Sequence, residues 1–154
     1  MNAIDSHVIN DGQSINMPPN YKLYSVLAVG FTTFFGTCLA GGFLMSINWM
    51  RLGFPKKSIM TMLISCLVLC FSFLFQTKVF PSIPSAAISL PSVFLFMLWS
   101  HLSQGGLLKI HVQQMGGMES GWKVLGISIL FMFFVGAVSV FLYVYFSDYF
   151  NSSW

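Results

Sequence analysis

Four long apolar stretches follow one another along this chain, and no charged side chain interrupts any of them. Lys22 and Arg51 bracket 28 uncharged residues, Lys57 and Lys78 bracket 20, Lys78 and Lys109 bracket 30, and Lys123 and Asp148 bracket 24. A helix crossing a bilayer needs roughly 20 mostly apolar residues, each rising about 1.5 Å. The pattern predicts four such helices, at about 23–47, 58–75, 83–103 and 124–146. A soluble helix would keep a charged outer face, and these runs have none. The expected fold is all-α: a polytopic four-transmembrane-helix bundle over 23–154, preceded by a short polar tail over 1–22.

Composition agrees, with 56% hydrophobic and 7% charged residues in 154, against about 25% charged in soluble domains. The net charge of +3 is spread out, with only Lys56 and Lys57 adjacent. It offers no basic patch for nucleic acid. The charge bears on topology instead. With four spans, the 48–57 and 104–123 loops share one side and hold Arg51, Lys56, Lys57, Lys109 and Lys123; Lys22 and Lys78 fall on the other. A basic excess marks the cytoplasmic side. The expected location is a bacterial inner (plasma) membrane, multi-pass, with both termini outside, in the periplasm.

The spans differ in texture. The first carries Gly36, Ala40, Gly41 and Gly42, small residues suited to close helix–helix approach in lipid. The second is bounded by Pro55, with Ser58 as its expected N-cap, and holds Cys66 and Cys70 four apart. The third contains Pro84 and Pro91 and a run of serines, Ser85, Ser89, Ser92 and Ser100, at helical spacing. That stripe should face other helices or a wet cavity, or its hydroxyls bond back to carbonyls that the prolines loosen. Leu107 to Met115, between two glycine pairs, alternates apolar and polar residues and suits either an extended strand or an interfacial segment.

Reactive chemistry is scarce. No Asp, Glu, Lys or Arg falls within a predicted span, which argues against a proton-coupled carrier. His101 and His111 could be imagined as haem ligands, but the sequence sets no geometry between them, and neither a metal nor a cofactor is expected. No paired carboxylates, phosphate loop or base-assisted nucleophile is visible, so the chain is not expected to be an enzyme.

One segment has a recognisable build. In Asn48-Trp49-Met50-Arg51-Leu52-Gly53-Phe54-Pro55-Lys56-Lys57, Trp49 can anchor at headgroups, Gly53 can take a left-handed turn and Pro55 can restart a helix. Arg51, Lys56 and Lys57 can meet anionic lipid, at about 1 kcal/mol each. Together with Leu39-Ala40-Gly41-Gly42, this stretch resembles small, poorly characterised bacterial four-helix membrane proteins with an Asn-aromatic-x-Arg-Leu-Gly-x-Pro-basic corner. The resemblance implies a bacterial multispan protein and brings no activity with it.

Two functions fit these features. One is a non-catalytic membrane protein that works through helix–helix contacts with a protein partner or with itself, as an immunity protein against a membrane-active toxin or as a small subunit of a complex. The other is an oligomeric channel or facilitator lined by the serine stripe of the third helix.

Overall fold

The computed structural model describes residues 20–78 and 85–151; the polar tail before residue 20, and Pro81 and Pro84 between the second and third helices, lie outside the described residues. Those residues form four helices and no strand: α1 (Val26–Arg51), α2 (Pro55–Lys78), α3 (Ser85–Gln113) and α4 (Gly121–Asn151). By length and hydropathy, Val26–Arg51, Pro55–Phe75 and Gly121–Leu142 are long and apolar enough to cross a membrane.

The first of these does not run straight. Thr37 has φ 76° and ψ 169°, outside the helical region, and divides α1 into two arms. Along a continuous helix Tyr24 and Asn48 would stand about 36 Å apart. Instead the Tyr24 amide donates to Asn48 Oδ1 at 2.8 Å, and Asn48 Nδ2 donates to the Tyr24 carbonyl at 2.8 Å. The arms are therefore antiparallel, and α1 is a helical hairpin with its turn at Gly36–Thr37–Cys38. At 1.5 Å per residue the arms measure about 17 and 21 Å, too short to span a hydrocarbon core of about 30 Å. The single straight span expected at 23–47 is thus replaced by a hairpin.

The reversal relocates the start of the described chain. Residues 20–25 lie beside the 48–54 corner and the 114–120 loop, not at the opposite end as four straight spans would require. Leu23 and Met118 form a parallel bridge, with the Leu23 amide donating to Gly117 O at 3.1 Å and the Glu119 amide to Leu23 O at 3.0 Å. Lys22 consequently joins Arg51, Lys56, Lys57, Lys109 and Lys123, placing six of the seven basic residues at one end. The charge asymmetry is sharper than the sequence suggested.

Among the described residues the hairpin is the hub: it packs on α2, α3 and α4, while α2 and α3 barely meet and α4 meets neither. Its core side chains, Val29, Leu44 and Met45, are fully buried. Small residues permit these approaches. A Cβ on Gly42 would lie 1.8 Å from Ser65 Oγ of α2, and one on Gly36 would lie 2.9 Å from the Ser128 carbonyl of α4. Gly41 serves the hairpin itself, facing Thr33 and the Val29 carbonyl of the other arm. The small residues thus line two faces of a folded hairpin instead of one stripe on a straight rod.

The corner follows from local chemistry. Gly53 has φ 81° and ends the second arm, where Phe54 N–H donates to Trp49 O and Gly53 N–H to Met50 O. This paired pattern needs a left-handed residue after the helix and usually brings an apolar contact across the turn. Trp49 and Phe54 supply it, edge to face at 5.6 Å, and Lys57 Nζ sits 4.7 Å from both rings. Pro55 opens α2, where its missing N–H costs nothing. Ser58 is not the N-cap; it lies one turn inside, 2.7 Å from Ser46 Oγ of the hairpin.

The strand reading of 107–115 does not survive, because α3 runs on through Pro91 to Gln113. Gln104, Leu108 and His111 are 0, 5 and 2% exposed, a four-then-three spacing that is helical. The strand-like alternation misleads because Ile110 and Val112 are both exposed.

Candidate functional site

Two polar centres stand out, one at each end of the hairpin. At the open end, Asn48 is fully buried and joins three segments. Besides its paired bonds to Tyr24, its Nδ2 donates to Gln104 Oε1 at 3.1 Å, and Gln104 Nε2 donates to Met45 O at 2.9 Å. An amide carries both donors and acceptors, so this pair can satisfy itself without a charge. Over it lies an ionic latch. Arg51 donates to Glu119 Oε1 at 3.0 Å and to Lys22 O, and Lys123 donates to Glu119 Oε2 at 2.9 Å. The Arg51 guanidinium also lies 5.5 Å from the centre of the Tyr24 ring. Glu119 thereby ties the hairpin to the start of α4.

The hydrogen bond from Lys123, aided by Arg51 and opposed by burial, lowers the Glu119 pKa below its ordinary 4.5. A lowered folded pKa stabilises the fold in full above that ordinary value, and the gain is lost as pH falls through the lower one. Thermal stability should therefore fall as a detergent-solubilised sample is taken from pH 7 to below 4.5. Glu119→Gln should be less stable at neutral pH and should lose part of that acid dependence. An unaltered acid limb in the variant would remove Glu119 as its source.

At the closed end lies the turn. Thr37 adopts a conformation that is nearly the preserve of glycine, and side chains held there cost about 1–3 kcal/mol. Its hydroxyl is buried without a hydrogen-bond partner. Next to it, the Cys38 thiol points at the Ser65 carbonyl, 3.9 Å away. Ser65 lies about 15 Å along α2 from Pro55, and Ser128 about 10 Å along α4 from Gly121. The turn packs between these two depths.

Most buried hydroxyls elsewhere are bonded to their own helices. Thr33, Thr61, Ser65 and Ser128 each donate to the carbonyl four residues back, at 2.7 to 2.8 Å. Ser100 is the exception on α3. It is 0% exposed and its hydroxyl has no partner. Of the predicted serine stripe, Ser100 therefore faces the interior, one turn from Gln104; Ser92 is half-buried, and the side chains of Ser85 and Ser89 lie outside the described residues.

The two histidines are not brought together. His101 is exposed, whereas His111 is buried under Gly116, stacked on Tyr21 at 5.1 Å. Its Nε2 is 3.1 Å from Gly117 O. A carbonyl only accepts, so Nε2 carries the hydrogen and the buried Nδ1 is left unpartnered. Among the described residues no three His, Cys, Asp or Glu side chains converge. Sequence reasoning read Asn48 only as part of the corner and missed Gln104 and Thr37; an amide just past the end of each of two apolar spans was the one available signal, and nothing in their spacing paired them. Comparison of the chain with protein-family models, curated proteins and solved structures returns no match.

Proposed function

We propose that the chain is an integral membrane protein acting as a passive channel or facilitator, with the turn of the α1 hairpin as its functional element. One observation carries this reading: an apolar segment of spanning length doubles back at Thr37, a non-glycine residue in strained conformation with an unpaired buried hydroxyl. In a bilayer, non-helical backbone is tolerated only inside protein or along a wet cavity, and broken helices commonly mark solute sites. Strain at such a point points toward function and away from simple packing. Ser100 adds a second free hydroxyl on a helix packed against the hairpin.

Purified protein in liposomes should raise the permeability of the vesicles to at least one small solute several-fold over empty ones. Thr37→Gly should keep the turn, relieve about 1 kcal/mol of strain and change the flux by removing the hydroxyl. Permeability equal to empty vesicles for water, small neutral solutes and monovalent ions would end the reading.

The orientation that accompanies it places the basic end in the cytoplasm of a bacterium, with residues 20–25 there and the end of α4 on the opposite face. With Cys38, Cys66 and Cys70 replaced, a cysteine at Tyr21 should react with an impermeant maleimide from the cytoplasmic side only. Labelling from outside in intact cells would reverse the assignment.

A second reading, partnership with another membrane protein or a second copy, is favoured by α4. Its outer face forms an open apolar groove of about 670 Å³ lined by Met132, Phe133, Gly136, Ala137, Val140, Phe141 and Val144. A small-residue notch of this kind allows close helix approach in lipid.

A further inference from the structure

We infer that the solute this hairpin passes is small, uncharged and able both to donate and to accept hydrogen bonds, as water and small polyols or ureas are. The inference rests on the facilitator reading and adds the chemistry that selects.

Three features point the same way. First, the basic and acidic residues in the described helices lie near helix ends: Arg51 closes α1, Lys56 and Lys57 open α2, Lys78 closes it, Lys109 lies in the last turns of α3, and Lys123 and Asp148 sit towards the two ends of α4. Among the described residues none at the depth of the turn carries a fixed charge to attract an ion or replace its hydration shell.

Second, the hairpin brings opposite helix ends to one point. The first arm finishes there with its carbonyl end and the second begins there with its amide end. Each end alone would carry about half a charge, of opposite sign. Side by side they leave a local dipole that offers acceptors and donors together, favouring neither an anion nor a cation.

Third, apart from His111 near the basic end, the buried polar side chains of the described helices are hydroxyls and amides. Thr37 Oγ1 and Ser100 Oγ are buried and unpaired, and the Asn48–Gln104 pair closes the open end of the hairpin. A hydroxyl both donates and accepts, and an amide does so through separate atoms. A neutral solute with the same double character can replace such contacts one at a time, whereas a bare ion would find no counter-charge.

The test is stopped-flow light scattering on proteoliposomes, with a sucrose step for water, glycerol and urea gradients for the solutes, and potassium and proton dyes for ions. Wild-type vesicles should exceed empty ones at least threefold for water, glycerol or urea, with ion flux at background; which of these arms responds identifies the solute. Ser100→Ala should cut that flux at least threefold, and Ser100→Thr, which keeps the hydroxyl, should retain it. Ser103→Ala serves as control, because Ser103 already bonds Trp99 O at 2.7 Å. Ion flux without neutral flux would overturn the assignment of solute class while leaving the facilitator reading intact. Background permeability in every arm would overturn both. Undiminished neutral flux in folded Ser100→Ala would overturn the part given to Ser100.

Discussion

Replacing Asn48 with leucine should destabilise the fold by about 3 kcal/mol. Leucine keeps the branching at Cγ and is larger than asparagine, so the loss would not come from a cavity; it would come chiefly from hydrogen bonding. The substitution strands the Tyr24 amide, the Tyr24 carbonyl and Gln104 Oε1, all accommodated by one side chain in the wild type. A buried polar group left unpaired costs about 1–3 kcal/mol, and unfolded chains in lipid recover part of that by finding other partners. Three such groups would cost about 3–9 kcal/mol without that recovery, and with it the net stays near the lower end. Unfolding by steric trapping in bicelles would measure it. Removing both amides, as Asn48→Leu with Gln104→Leu, should cost less than the two single changes added together, because neither partner is then left alone. A loss under about 1 kcal/mol for Asn48→Leu, or strict additivity, would show that the amide pair does not hold the hairpin closed.

Gly42→Ala should cost nearly as much, about 3 kcal/mol, the upper end for overpacking a well-packed core. The added methyl would lie 1.8 Å from Ser65 Oγ and 2.4 Å from Ser65 Cβ. The second contact matters more, since a hydroxyl can rotate away and a Cβ moves only with its helix. The change should therefore push α2 off the hairpin, and Ser65→Gly in the same chain should restore most of the loss. Gly136 provides the contrast. Nothing stands within 4 Å of a Cβ there, and Gly136→Ala should be neutral or slightly stabilising through its better helix propensity. Equal effects at Gly42 and Gly136 would rule out the close approach to α2 as the cause.

Helix number and type were legible because uninterrupted apolar runs of spanning length have one common explanation. The corner was legible too. Gly53 before a proline-led helix is a local signal, and Trp49, Phe54 and Lys57 gather around it as neighbours in sequence. The reversal of α1 was not legible, and the reason is physical. Its two arms add up to the length of one span, so counting residues cannot tell a rod from a hairpin. The bend falls on Thr37, a residue with no preference for that backbone, while the neighbouring Gly36 serves helix contact with α4. What determines the fold is a pairing between Tyr24 and Asn48, 24 residues apart, and no helical or strand period connects such positions. The same limit applied to α3. Gln104, Leu108 and His111 form a helical stripe, but Leu108, Ile110 and Val112 spell out a strand period just as well, and only the packing against the hairpin decides between them.

The latch and the amide pair also impose an order on synthesis. Of these helices the hairpin is synthesised first, yet Gln104 and Glu119, which close its open end, come more than fifty residues after Arg51. Until then the arms have the Tyr24–Asn48 bonds and, once α2 follows, the contact with Ser65 to keep them together. A nascent chain stopped after α2 would hold a hairpin whose ends are tied by Asn48 and by the Arg51 contacts with Lys22 O and the Tyr24 ring. The remaining two helices then bring the groups that close its open end, Gln104 on α3 and Glu119 just before α4.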